Sequence, residues 1–238
     1  MDFKWSQAQE EFRQEVRTFL DKELAEGTFV PVDDGWVVGH SAEFSRKLAA
    51  KGWIGLTWPK QYGGQGRSYL DRLILTEELL AYGAPVASHW LADRQVGPAL
   101  IAYGSQEQKA EFLPRIVRAD IFFCIGMSEP SAGSDLGSLQ TRATQDGDDF
   151  IISGQKVWTS GAHEADYCYL VARTDPAVPK HRGISEFIVS MSLPDVRVRP
   201  VLDITGAHEF NEVFFDGVRV PGTCLIGERN RGWYQIAS

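Results

Sequence analysis

Apolar residues recur every three or four positions through the first half of the chain, then give way to short β-branched and aromatic runs. Ser6-Gln7-Ala8-Gln9 is a capping-box pattern, and Phe12, Val16, Phe19, Leu20 and Leu24 follow it at helical spacing. A second, short helix is predicted over 41–51, with Gly52 as its stop signal. Residues 52–66 hold five glycines and a proline among large apolar residues. Trp53, Ile54, Leu56 and Trp58 need burial, so this connector should be ordered rather than loose. Three more helices follow. Residues 69–82 carry Leu70, Leu73, Leu75, Leu79 and Leu80. Residues 87–103 are apolar on most faces, which predicts a central, buried helix. Ser105 with Gln108 repeats the capping-box pattern and opens a helix to about Arg118.

Near Asp120 the period changes. Strands are predicted over 121–128, 139–146, 149–160, 166–174, 186–192, 196–201 and 211–215, bounded by Gly, Asp and Pro turns. Asp146-Gly147 is a hairpin signal between two of them. The fold class predicted is α+β: an all-α N-terminal helical domain over 1–119, then an antiparallel β-sandwich or barrel middle domain over 120–231. Residues 232–238 read as the opening turn of another helix. Trp233, Tyr234 and Ile236 on so short a helix gain little alone, which leads us to expect a truncated chain.

Composition narrows the function classes. At 238 residues, 43% hydrophobic and 24% charged, the chain is an ordinary globular sequence. A net charge of −8 argues against nucleic acid or an anionic membrane as the main partner, and leaves room for a local basic pocket. Cys124, Cys168 and Cys224 are far apart with no CxxC pair, which suits reduced thiols. His40, His89, His163, His181 and His208 show no metal-ligand spacing, so no metal is expected. Met1-Asp2-Phe3-Lys4-Trp5 is acidic at once with no apolar run behind it. We expect no signal peptide, no membrane span and a cytoplasmic location.

Two segments carry candidate chemistry. Residues 126–135, Gly-Met-Ser-Glu-Pro-Ser-Ala-Gly-Ser-Asp, read as a strand end followed by a turn of small residues. Gly133 permits backbone geometry barred to other residues, Ser128 and Ser134 offer hydroxyls, and successive N–H groups can form an anion nest. Taken alone, such a turn is usually only a turn. Residues 154–161, Gly-Gln-Lys-Val-Trp-Thr-Ser-Gly, place Trp158 at a strand end beside Thr159 and Ser160. That indole either stacks on a flat aromatic ligand or fills the β-domain core.

In this order and after five helices, the two segments resemble the acyl-CoA dehydrogenase family. The family's (T/S)EPxAGSD turn is matched from Ser128 to Asp135, and its GxKxWxx(S/T) strand is approximated by Gly154 to Ser160. Gly55-Leu56-Thr57-Trp58-Pro59, Tyr103-Gly104-Ser105-Gln106-Glu107-Gln108-Lys109 and Phe214-Phe215-Asp216-Gly217-Val218-Arg219-Val220-Pro221 match as well. The resemblance implies FAD as cofactor and α,β-dehydrogenation of an acyl-CoA thioester. It implies an electron-transfer flavoprotein as electron acceptor and a homo- or hetero-oligomer. Ile125, Gly126, Met127, Ser128, Gly133 and Ser134 would line the FAD; the Met127 main chain and Ser128 hydroxyl would meet the flavin pyrimidine edge. Ser134 would stand between FAD and the acyl-CoA phosphates. Trp158 would pack on the isoalloxazine, with Thr159 beside it and Ser160 at N5.

The family's catalytic glutamate lies in a C-terminal helical bundle, so no residue here is assigned as the base. Glu129 is expected to hold the turn. Without the bundle, the chain alone is expected to be inactive and to expose apolar side chains around Trp233, Tyr234, Ile236 and Leu100. Two other readings stay open: a flavin monooxygenase or acyl-CoA oxidase relative, and a non-catalytic subunit completing a partner's site. The central helix would wall the acyl pocket, and Asp93 and Arg94 on it would face either pocket or solvent.

Overall fold

The computed structural model describes residues 4–237. Met1, Asp2 and Phe3 of the N-terminal stretch and Ser238 of the terminal helix lie outside the described residues. Helix α1 (Gln7–Ala25) opens on a capping box in which Ser6 Oγ accepts the Gln9 N–H and the Gln9 side chain accepts the Ser6 N–H. Its buried face, Phe12, Val16, Phe19 and Leu20, meets Phe44 and Leu48 of α2 (Ala42–Ala50) and Ile74, Leu75 and Leu79 of α3 (Tyr69–Ala81). Arg13 and Arg17 of α1 both donate to the buried Glu78 carboxylate of α3, at 2.7 and 2.8 Å. The connector is ordered as expected, with Trp53, Ile54, Leu56 and Trp58 all buried.

The central helix departs from the expected single element. It runs as α4 (Ala87–Leu91), a π-helical turn (Ala92–Val96) and α5 (Gly97–Tyr103). Pro98 gives the physical reason. It has no N–H to donate, and its ring crowds the carbonyl four residues back. The Gly97 N–H instead reaches the Ala92 carbonyl, five residues earlier. A side chain at Gly97 would collide with Trp58, whose ring lies 2.0 Å from a built Cβ. Asp93 turns inward here and accepts the Gly55 N–H at 2.7 Å, while the Trp58 indole donates to the Asp93 carbonyl at 3.2 Å.

Helix α6 (Gln106–Val117) follows, and the Gln108 side chain donates to the Thr223 and Leu225 carbonyls, tying it to the β-domain. The strands are β1 (Phe123–Gly126), β2 (Arg142–Asp146), β3 (Asp149–Lys156), β4 (Tyr167–Arg173), β5 (Ile184–Ser190), β6 (Val196–Leu202), β7 (His208–Pro221) and β8 (Leu225–Ile226). They form one sheet in the order β6-β7-β3-β2-β4-β5-β8, with β1 on β4. The helices-then-strands order is the one expected. Most ladders are antiparallel; β1 and β2 pair β4 in parallel, and the path does not close. Gly147 turns the β2–β3 hairpin at φ +63°. Strand β7 is far longer than 211–215, because Gly217 is absorbed as a bulge opposite Ile152 and Ser153 rather than ending the strand.

One core joins the helices to Phe123, Tyr169, Ile188 and Ile226 of the sheet. Leu100 lies in it at 0% exposure, so the expectation that it would be uncovered fails: α6 and the terminal helix over 232–236 already cover that helix. Helix α7 (Gly232–Ile236) also finds cover. Trp233 and Ile236 pack against Ala132, Leu139, Val171 and Ile184, and only Tyr234 stays exposed. Beneath α7, Gln235 Nε2 donates to Glu186 Oε2 at 2.7 Å. Burial pushes the Glu186 carboxyl up to about 7, against the opposing bonds from Tyr169 and Gln235. An acid raised in this way keeps its proton in the fold. Its contribution is full below about 4.5, the ordinary value, and is lost as pH climbs to about 7. Across that window the native chain should lose on the order of 3 kcal/mol relative to Glu186→Gln. Urea unfolding of both proteins at stepped pH checks this; parallel curves would refute a neutral Glu186. Among the described residues, no helix is long and apolar enough to cross a membrane.

Candidate functional site

Strand β1 pairs β4 and ends at Gly126, where a Cβ would come within 2.9 Å of Cys168 Sγ and 3.2 Å of Lys156 Cγ. The turn that follows is closed by reciprocal main-chain bonds between Glu129 and Ala132. Glu129 is buried. Its carboxylate accepts the Gln140 N–H at 2.5 Å, the Thr141 N–H at 2.9 Å and Lys156 Nζ at 2.8 Å. Lys156, at 0% exposure, also donates to the Met127 carbonyl at 3.0 Å. Burial alone would raise the Glu129 carboxyl. The Lys156 charge and the converging amides more than offset this and hold it below the usual carboxylate range. Burial lowers the Lys156 ammonium, opposed by Glu129. The ion pair and a Val157 N–H to Ser128 carbonyl bond at 2.9 Å lock the two motif segments together.

Along β3, Phe150, Ile152 and Lys156 point inward with period two, so a continued strand would bury Trp158. It does not continue. Trp158 adopts φ +59°, a left-handed backbone uncommon for a bulky residue, and its side chain is 60% exposed, edge-on to Phe210 at 5.8 Å. The core-filling alternative therefore does not describe this indole. Thr159 beside it is buried, and its hydroxyl has no protein partner.

The segments meet at a shallow hollow of about 210 Å³ between the helices and the sheet. Ile125, Met127, Ser128, Val157, Trp158 and Ser160 line it from the β-domain, and Leu91 and Gln95, one helical turn apart, line it from α4 and the π turn. Of the residues singled out in the sequence, Gly126 and Thr159 are buried rather than lining it. Gly133 and Ser134 are exposed on the turn and do not line it. Gly133 is outside the left-handed region and has open space where a Cβ would stand, so the backbone freedom argued for it is not used. Asp93 and Arg94 do not face the hollow: burial raises the Asp93 carboxyl, and Arg94 bonds Asp93 and Thr76. Leu91, Gln95 and Lys156 carried no assigned role in the sequence; the Lys lay inside the motif, but its burial is a tertiary fact.

The hollow suits one flat ring system. It offers an aromatic face in Trp158, hydroxyls at Ser128 and Ser160, and the orphaned Thr159 hydroxyl nearby. These residues fit the isoalloxazine end of FAD. Residues 6–120 match the acyl-CoA dehydrogenase N-terminal domain and residues 124–218 its middle domain, and the chain belongs to the acyl-CoA dehydrogenase family. It is 41% identical over 245 residues to acyl-CoA dehydrogenase FadE26 of Mycobacterium tuberculosis, covering 100% of this chain and 60% of that protein. The solved Tcur3481-Tcur3483 steroid ACAD superposes with a TM-score of 0.89 at 40% identity, over 100% of this chain and 62% of that one. The ChsE4-ChsE5 complex from Mycobacterium tuberculosis gives 0.88 at 40% identity, over 100% and 60%. A glutaryl-CoA dehydrogenase of Mycobacterium smegmatis in complex with FADH2 gives 0.78 at 26% identity, over 98% and 58%. The chain thus spans about 60% of the length of the first curated relatives it matches.

Proposed function

We propose that the protein serves FAD-dependent α,β-dehydrogenation of an acyl-CoA thioester, and that residues 1–238 supply the flavin-holding side of the site. The observation that carries this is the Trp158 indole, turned outward over a hollow that also gathers Met127, Ser128 and Ser160. In this reading Trp158 packs on the ring, Ser128 and the Met127 main chain hold the pyrimidine edge, and Ser160 stands at N5. Ser134, exposed on the turn, lies between FAD and the acyl-CoA phosphates. Bound FAD would supply the two-electron acceptor for the β-hydrogen. The protein's own task is to orient the ring and keep donors on the edge that gains electron density. The helical and β portions divide near residue 120.

The hollow's lining contains no carboxylate, imidazole or amine. In this reading the base that removes the α-proton is not among the residues lining the hollow, and a group from outside residues 1–238, such as one on a second subunit, would supply it. The likeness to the two-protein ChsE4-ChsE5 complex favours oligomeric assembly. An electron-transfer flavoprotein takes the electrons onward. The test mixes the 238-residue chain, FAD and a panel of acyl-CoA thioesters without air. We expect flavin binding and no bleaching, since a positioned base is worth about 10²–10⁴-fold in rate. Stoichiometric bleaching would place the base within this chain and overturn that part of the reading.

A further inference from the structure

Beneath the Trp158–Ser160 segment lies a polar cluster that the proposed function leaves unused. Asn211, on β7, is fully buried. Its carbonyl accepts the Thr159 N–H at 3.0 Å, and its Nδ2 donates to the Thr159 carbonyl at 3.0 Å. Both main-chain groups of the residue next to the left-handed Trp158 are thus held by one asparagine. The same amide reaches two imidazoles. Nδ2 lies 3.1 Å from His163 Nδ1, and Oδ1 lies 2.8 Å from His208 Nε2. The two rings stack with centroids 3.9 Å apart.

The proton positions follow by elimination. A carbonyl can only accept, so the amide nitrogen must face Thr159. Oδ1 then faces His208 Nε2, which must carry a hydrogen. The second amide hydrogen points at His163 Nδ1, which must offer a lone pair. His163 is therefore neutral, with its hydrogen on Nε2. A proton on His163 Nδ1 sets two donors face to face at 3.1 Å, and the amide must then turn away from His163 or from Thr159.

The surroundings favour the neutral form of His163. Burial and the neighbouring His208 hold it below the ordinary imidazole range, against the Glu164 charge. His40, from the loop before α2, stands edge-on at 6.1 Å. Arg115 of α6 and Asp166 share a cavity with His163 and His208, and Glu209 on β7 accepts the Gly161 N–H through its carbonyl.

We propose that Asn211 is a positioning residue, a latch that keeps Trp158–Ser160 in its outward, left-handed form while His163 is unprotonated on Nδ1. The link to cofactor binding rests on the reading of that segment as the flavin contact. Two measurements separate the claims. Long-range ¹H–¹⁵N spectra of the FAD-free chain should show His163 with its hydrogen on Nε2 near neutral pH. The Trp158 indole resonance should move as His163 titrates, and should stop doing so in His163→Leu or, if that variant folds poorly, His163→Gln. An Nδ1-H tautomer, or a Trp158 signal indifferent to His163 in the native chain, overturns the latch. FAD titration across the same pH range then tests the flavin link: affinity should fall by about fivefold as His163 protonates, and Asn211→Ala should bind about fivefold more weakly at neutral pH. Coupled Trp158 and His163 signals with no FAD binding at any pH support the latch and sink the flavin reading. Strong FAD binding unchanged across the transition overturns the latch's proposed role.

Discussion

Replacing Lys156 by methionine is expected to destabilise the fold by about 3–5 kcal/mol, because it strands the buried Glu129 carboxylate without its counter-ion. The loss falls on a structural crossroads. Lys156 bridges Glu129 and the Met127 carbonyl, and Glu129 in turn holds the Gln140 and Thr141 amides. The two motif segments lose their side-chain tie and keep the Val157 N–H to Ser128 carbonyl bond, so flavin affinity should fall together with stability. The double variant Lys156→Met, Glu129→Gln removes the unpaired charge while keeping an oxygen for the amides. It should recover at least half of the single variant's loss. Urea unfolding followed by circular dichroism measures all three. A single variant within about 1 kcal/mol of the native chain, the range of an exposed pair, would show that the ion pair does not lock the turn. The exposed Lys180–Asp135 pair is the internal comparison, and its removal should stay within that range.

Trp158→Ala is expected to weaken FAD binding by about tenfold or more with little change in stability. An indole stacked on a flat ring contributes about 0.5–1.5 kcal/mol on top of its share of buried area, and 1.4 kcal/mol is a factor of ten. Because the side chain is mostly exposed in the free protein, its removal opens no core cavity. Trp158→Gly sharpens the test. Glycine adopts φ +59° without steric cost, so this variant should be at least as stable as Trp158→Ala while binding FAD no better. Flavin titration by fluorescence, paired with thermal unfolding, separates the two effects. Unchanged FAD retention in both variants would remove Trp158 from the site.

Local signals carried much of this molecule. Ser6, Ser41 and Ser105 each cap the helix they announce, since a hydroxyl three residues ahead of a free N–H is a matter of neighbouring residues. The change from period 3.6 to period 2 near Asp120 likewise marks where helices give way to strands. Asp146-Gly147 makes the hairpin, because only the glycine's freedom at positive φ is needed. The motif spelling from Ser128 to Asp135 and Gly154 to Ser160 is local in the same way, and it carries the family resemblance. Other features depended on partners distant in the chain. Gly217 reads as a strand end until β3 supplies the opposite side of a bulge. Residues 87–103 read as one apolar helix until the missing N–H of Pro98 and the crowding of Trp58 against Gly97 widen the turn. The direction of Trp158 could not follow from alternation, which would bury it. It is set by Asn211, more than fifty positions later, and by Ser128, some thirty before. Leu91 and Gln95 reach the hollow only because α4 and the π turn pack on β1. Caps, periods and turns are written within a few residues of where they act; a site is written in the register between elements, and that exists only once the chain has closed on itself.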